Sequence, residues 1–191
     1  MAAELIDLAA FIRAIPDWPV DGVTFRDVAP LLADPRAFSQ AVRQMADHGF
    51  GDFDLVAGIE ARGFVFGAAM AMTLGIGFVP MRKVGKLPPP TVRRDYALEY
   101  GTASLEVPAA AFVGASAGAA DGSAIEPVIR GARVLLVDDV LATGGTAGAG
   151  VELIRHAGGE PVGLSVLIEL PVLGGRAALD PDLRVQSLLT W

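Results

Sequence analysis

The sequence predicts an α/β fold: a central, mostly parallel sheet flanked by helices. Short, continuous apolar runs at residues 55–59, 76–81, 133–137 and 161–169 suit strands buried on both faces. Helical patterns of about 10–15 residues alternate with them, the mark of βαβ units. The 191 residues are 52% hydrophobic and 19% charged, enough apolar material for one core. No internal repeat or linker divides the chain, so residues 1–191 are expected to form a single domain.

Leu5, Leu8, Ile12 and Ile15 recur at helical spacing and predict a first helix closed by Pro16. A loop over residues 16–30 follows. Asp34-Pro35 reads as an N-cap with proline at the first helical position, the helix burying Phe38, Val42 and Met45 and ending at Gly49. The strand at 55–59 leads into a helix over about 64–74, with Gly75 as its stop, and then a strand at 76–81. The strand at 133–137 leads into a helix over about 146–157 and a strand at 161–169. In open α/β sheets ligands bind beyond the carboxyl ends of the strands, which points to the residues after Ile59, Met81, Val137 and Ile168.

Composition excludes several functions. The chain has no cysteine and two isolated histidines, His48 and His156, both expected on helix surfaces, so disulfides and zinc clusters are ruled out. A formal net charge of −7 disfavours nucleic acid and acidic membranes as partners. No apolar run reaches the roughly 20 residues of a membrane span. The opening Met1-Ala2-Ala3-Glu4 has no basic segment ahead of its apolar residues, so a cytoplasmic protein is expected.

The strongest signal is Val134-Leu135-Leu136-Val137-Asp138-Asp139-Val140-Leu141-Ala142-Thr143-Gly144-Gly145-Thr146. Gly144 and Gly145 let backbone N–H groups converge without Cβ interference, and Thr143 and Thr146 add hydroxyls. A helix starts there, so its free N–H groups and positive dipole end would hold a phosphate. Adjacent acids beside an anion site would repel it unless they accepted hydrogen bonds from neutral hydroxyls, and a ribose offers two. Asp138 and Asp139 therefore read as ribose clamps. No Gly-Lys-Ser/Thr follows, so this is not a Walker A loop.

Three other strings carry chemistry. Phe25, within Asp21-Gly22-Val23-Thr24-Phe25-Arg26-Asp27, is either a loop anchor in the core or an exposed ring on which a flat purine stacks. Arg62-Gly63, within Gly58-Ile59-Glu60-Ala61-Arg62-Gly63-Phe64-Val65-Phe66-Gly67, follows a strand and opens a helix. It is either an ordinary turn or a second anion site suited to pyrophosphate. Arg82, Lys83, Lys86, Arg93 and Arg94 place five of the chain's 15 basic residues in an acid-free stretch. With Gly85 and Pro88-Pro89-Pro90 this stretch is either a solvated charge run or a flap over pyrophosphate.

The cradle string resembles the signature of the type I phosphoribosyltransferases. The other strings, with Leu98-Glu99-Tyr100-Gly101, resemble the adenine phosphoribosyltransferases. The resemblance spans most of the chain and implies the type I fold, with a hood over about 16–30 and a flexible flap over about 82–100. It implies transfer of a 5-phosphoribosyl group from phosphoribosyl pyrophosphate to adenine, giving AMP and pyrophosphate. Asp138, Asp139, Ala142, Thr143, Gly144, Gly145 and Thr146 would hold the ribose and 5′-phosphate. Arg62, Arg82, Lys83, Lys86 and Tyr100 would meet pyrophosphate, while Phe25 would stack on adenine, Val23 and Arg26 would read its edge largely through backbone groups, and Leu170 would cover its other side.

The resemblance further implies that Glu99 deprotonates adenine, that Arg62 takes part in catalysis, and that the Glu60–Ala61 peptide is cis. It implies Mg²⁺ as cofactor, held mainly by substrate oxygens and water with no direct protein ligand, and a homodimer. Two alternatives are transfer to another base and a regulator of the same fold that senses phosphoribosyl pyrophosphate. The Ala/Gly-rich stretch over about 109–122 departs from the family pattern, where this connection is shorter, and is expected to loop out.

Overall fold

A computed structural model describes residues 5–47, 49–98, 101–109, 111, 112 and 131–191. His48, Glu99, Tyr100 and nearly all of the 109–122 insert lie outside the described residues. His156 is exposed at the end of a helix.

The helix expected over 5–15 is instead a single 3-10 turn, Leu8–Phe11, followed by a strand, β1 (Arg13–Ile15). Asp7 caps the turn by accepting the Ala9 N–H at 3.0 Å. Two forces defeat the helical pattern. Ile15 precedes Pro16, whose ring disfavours the α conformation there. In addition, β1 finds a long-range partner in β2 (Phe25–Asp27), antiparallel, with Ile15 opposite Phe25 and Arg13 opposite Asp27. The Arg13 guanidinium donates to the Asp27 carboxylate at 3.1 Å. The expected 16–30 loop thus contains a strand and leads into a short helix, α1 (Ala29–Ala33).

The next helix, α2 (Pro35–Ala46), follows its sequence signals. The Asp34 carboxylate accepts the N–H groups of Arg36 and Ala37, a cap worth about 1 kcal/mol. Ala37, Ala41, Val42 and Met45 are buried, with Phe38 at their margin.

The remaining elements are β3 (Leu55–Ile59), α3 (Arg62–Leu74), β4 (Gly77–Lys83), β5 (Thr91–Leu98), β6 (Gly101–Pro108), β7 (Arg133–Leu141), α4 (Gly145–His156), β8 (Glu160–Glu169) and β9 (Val185–Thr190). Their strands form one seven-stranded sheet in the order β5-β6-β4-β3-β7-β8-β9. β4, β3, β7, β8 and β9 are parallel, while β5 and β6 extend the β4 edge as an antiparallel ribbon. Gly75 ends α3 in the left-handed conformation, at φ 70°.

Period-two alternation sends the apolar run of β7 to both faces of the sheet. Leu136 joins Ile59, Leu153 and Ile154 under α4, whereas Leu135 and Val137 join Met45, Phe66 and Met70 under α2 and α3. Each fully buried side chain stabilises the fold by about 1.5–3 kcal/mol.

One further expectation is corrected. β7 does not stop at Val137 but runs to Leu141, so Asp138 and Asp139 belong to a strand. Pairing with β8, which sets Asp138 beside Val166 and Leu141 beside Glu169, overrides the poor strand propensity of aspartate. Within the stretch expected as a flap, Thr91–Leu98 is strand β5, paired with β6 from Thr91↔Pro108 to Leu98↔Gly101.

Candidate active site

The site lies at the carboxyl end of the parallel strands, on the turn from β7 to α4. Gly144 caps α4 in the left-handed conformation at φ 85°, a backbone state costly for any residue with a Cβ. A Cβ there would also stand 2.5 Å from the Gly175 carbonyl oxygen, and one on Gly175 would stand 2.1 Å from the carbonyl oxygen of Ala142. The two glycines thus let the 142–144 loop lie flat on residue 175. The free N–H groups at the start of α4 open beside this loop.

The floor is acidic. Asp139 is buried, and its carboxylate pairs with the guanidinium of Arg62, the first residue of α3. The Asp139 N–H donates to Asp138 Oδ1 at 2.9 Å. Burial, and then the negative charge of Asp139, raise the Asp138 carboxyl well above the usual carboxylate range. Asp138 therefore resists ionisation, while Asp139 faces the Arg62 guanidinium. α3 comes this close because Gly63 has no side chain. A Cβ on it would stand 2.7 Å from the Val137 carbonyl oxygen and 3.0 Å from Asp138 Oδ1. The Glu60–Ala61 peptide just before it is cis.

The opposite wall is the β1–β2 hood. Phe25 meets Trp18 edge-on at 4.5 Å between ring centroids, and the Arg62 guanidinium lies 5.3 Å from the Phe25 ring. Arg62 thus spans the acid floor and the hood. The Asp27 carboxyl is lowered by the Ala29 N–H and then by Arg13, so the hood strand is tied at its end.

The cavity between these walls measures about 650 Å³. Val23, Phe25, Arg26, Arg62, Lys83, Asp138, Asp139, Ala142, Thr143, Gly144, Thr146 and Leu170 all line it. Gly145, Arg82 and Lys86 do not; Gly145 is the first residue of α4 behind the loop.

The basic stretch is less isolated than its sequence suggests. Arg82 reaches Glu60 at 3.4 Å, and Glu60 also accepts the Lys83 N–H at 2.9 Å, the bond that chiefly lowers its carboxyl pKa. Buried Glu106 accepts the N–H groups of Lys86 and Leu87 at 2.9 and 3.0 Å. Arg94 meets Glu152 of α4 at 3.6 Å. Two of these cations, Arg82 and Arg94, thus meet acids from elsewhere in the chain, and Arg82 is turned to Glu60.

Several contributors carry no local sequence signal. Tyr96 of β5 and Ala103 and Leu105 of β6 line the cavity because the ribbon folds over it. Gly175 underlies the cradle, next to a cluster in which the exposed Arg176 donates to buried Glu169 at 2.9 Å and the Ser187 hydroxyl donates to Glu169 at 2.7 Å.

An α/β sheet with a glycine cradle, paired acids and an aromatic hood around one cavity defines an enzyme that holds a sugar phosphate beside a flat ring. Residues 31–185 match the family model for the phosphoribosyl transferase domain. The chain is 50% identical to an adenine phosphoribosyltransferase of Thermobifida fusca, covering 98% of this chain and 97% of that one. Among solved structures, an adenine phosphoribosyltransferase of Thermoanaerobacter pseudethanolicus is 43% identical with a TM-score of 0.83, over 96% of this chain and 98% of that one. That of Saccharomyces cerevisiae, complexed with adenine and an imino-altritol bisphosphate, is 32% identical with a TM-score of 0.80, over 95% and 96%. The chain belongs to the adenine phosphoribosyltransferase family.

Proposed function

We propose that this chain transfers the 5-phosphoribosyl group of phosphoribosyl pyrophosphate to adenine, giving AMP and pyrophosphate in purine salvage. The observation that carries the reading is the convergence of the cradle, the acid pair and the Phe25 hood on one cavity, bridged by Arg62. The adenine bound to the yeast relative fits a hood of this kind. Purified protein forms AMP from adenine at least about 10²-fold more efficiently than it forms IMP or GMP from hypoxanthine or guanine, since unpaired buried polar groups penalise the wrong base. Comparable use of a 6-oxopurine, measured as kcat/KM for each base, would overturn the assignment.

In the reaction an adenine ring nitrogen bonds to the anomeric carbon as its bond to pyrophosphate oxygen breaks, through an oxocarbenium-like state. Cradle N–H groups fix the 5′-phosphate and Asp138 and Asp139 the ribose hydroxyls, so the carbon is held in line between base and leaving group. Arg62 and Lys83 stabilise the charge that gathers on pyrophosphate. The ring proton passes to the carboxylate of Glu99, and Tyr100 closes the pyrophosphate side. Glu99→Leu accordingly lowers kcat by about 10²-fold with little change in KM. Near-normal turnover would leave the proton to water or pyrophosphate.

The acid pair suits a magnesium ion carried by the substrate. Asp139 is engaged by Arg62, and the described residues hold no group of three or more His, Cys, Asp or Glu placed around a metal. Asp138 and Asp139 would meet Mg²⁺ through hydroxyls or water. Bound to pyrophosphate, the ion would offset the charge of the leaving group.

A homodimer is part of this reading, supported by Val65, Met72 and Leu74, which α3 leaves 41%, 81% and 43% exposed. A cytoplasmic location fits as well, and no helix among the described residues is long and apolar enough to cross a membrane.

A further inference from the structure

β8 ends at Glu169, and the chain then makes two short 3-10 turns, Pro171–Leu173 and Gly175–Ala178, before it returns as β9. Residues 170–175 bear on the cavity at two places. Leu170 and Leu173 line it, and the Leu170 N–H donates to the Leu141 carbonyl at 3.0 Å, where β7 ends. Gly175 lies under the phosphate loop, so closely that a Cβ on it would stand 2.1 Å from the Ala142 carbonyl oxygen and 3.0 Å from the Gly144 nitrogen. Single 3-10 turns are weak local structure, so the place of this loop depends on what ties its ends together.

One fork ties them. Arg176 Nε and Nη2 donate to the two carboxylate oxygens of Glu169 at 2.9 and 2.5 Å, and Nη1 donates to the Val185 carbonyl of β9 at 2.8 Å. Glu169 is buried and also accepts the Ser187 hydroxyl at 2.7 Å. Acid and cation thus stand at opposite ends of the loop, and a planar guanidinium that grips both carboxylate oxygens fixes direction as well as distance. An ion pair with a buried member is a weak source of stability, because desolvation offsets the attraction. What it supplies here is geometry. A lysine in the same place would keep the charge and lose the fork.

We infer that the Arg176–Glu169 fork is a positioning clasp: it holds residues 170–175 as one piece, so that the base end of the cavity and the phosphate cradle keep a fixed separation. This rests on the reading of those ends as the sites of adenine and the 5′-phosphate. The test is calorimetric binding of AMP, which spans both ends, and of ribose 5-phosphate, which leaves the base end empty, to the wild type and to Arg176→Lys, Arg176→Ala and Ser187→Ala. Both Arg176 variants are expected to weaken AMP about 10-fold or more and ribose 5-phosphate about threefold. Ser187→Ala removes a hydrogen bond to the same carboxylate without opening the fork, so it lowers the melting temperature by about 2–4 °C and leaves both affinities within about twofold. Wild-type affinities in Arg176→Lys would overturn the inference in favour of charge alone, and equal losses in Ser187→Ala and Arg176→Lys would reduce the fork to general support. Equal losses of the two ligands, or a loss of AMP with ribose 5-phosphate unchanged, would confine the loop to one end and overturn the shared clasp. Failure of the wild type to bind AMP would instead remove the reading of the two ends, so the two failures are told apart.

Discussion

Replacing Asp138 and Asp139 together by asparagine lowers kcat/KM for phosphoribosyl pyrophosphate by about 10³-fold while KM for adenine stays within about threefold. A hydrogen bond to a charged acceptor contributes about 1.5–3 kcal/mol and one to a neutral acceptor about 0.5–1.5 kcal/mol, so losing those to Asp139 and Asp138 costs about 2–4.5 kcal/mol. The proposed base end of the cavity, lined by Phe25, Arg26 and Leu170, is left unaltered. Unchanged kinetics in the double variant would remove both acids from the ribose site.

The single variant Asp138→Asn has a second, opposite effect. The raised Asp138 carboxyl lets the folded protein keep a proton that the unfolded chain releases above its ordinary value of 3.8. The stability gained this way is complete below that value and is lost as pH rises through the folded value. Asparagine carries no such charge, so the melting temperature of the variant minus that of the wild type should grow as pH rises from about 4 to 8. The lowered carboxyls of Asp27, Glu60, Glu169 and Asp180 lose their stabilisation only as pH falls through their folded values, and they do so in both proteins. A pH-independent difference would show that Asp138 ionises normally. The proposed ribose role and the stability of the fold are thus in conflict at this position, because the group that would meet the ligand is held in a buried place that disfavours its charge.

Gly144→Val lowers kcat/KM for phosphoribosyl pyrophosphate by about 10³-fold, from loop displacement together with a weakened phosphate contact. At φ 85° a β-branched side chain is a backbone outlier, and its Cβ would meet the Gly175 oxygen at 2.5 Å, a backbone atom that cannot swing aside. The loop must lift from residue 175, and a shift of about 1 Å at a positioning loop costs on the order of 10²-fold by itself. Gly148→Ala is the control. It lies within α4, where a Cβ finds only Leu179 at 3.6 Å, so stability rises by about 0.5–1 kcal/mol and activity is unchanged. Equal, mild effects of both substitutions would mean that the 142–144 loop does not hold the phosphate.

The amino-acid sequence by itself determined those parts of the protein whose physics is local. A continuous apolar run makes β3 wherever it is packed, Asp34-Pro35 caps α2 with its own side chain, and Gly144 supplies the backbone state that the cradle turn needs. The same locality made the acid pair, Arg62-Gly63 and Phe25 legible as candidates, although the acids stand inside β7 rather than past its end and Phe25 opens strand β2 rather than lying in a loop. Tertiary structure decided the rest. Residues 5–15 carry a helical pattern but became a turn and a strand because β2 offered a partner and Pro16 disfavoured the helix. The basic 82–94 stretch contains no acid of its own, yet Glu60 reaches it from the turn after β3, Glu106 from β6 and Glu152 from α4. Arg62 and Asp139 stand 77 positions apart, and Gly175 meets Ala142 and Gly144 only because β8 returns the chain beneath the cradle. Such pairings depend on which surfaces the packed sheet brings within a few ångströms, a distance that no spacing along the chain encodes.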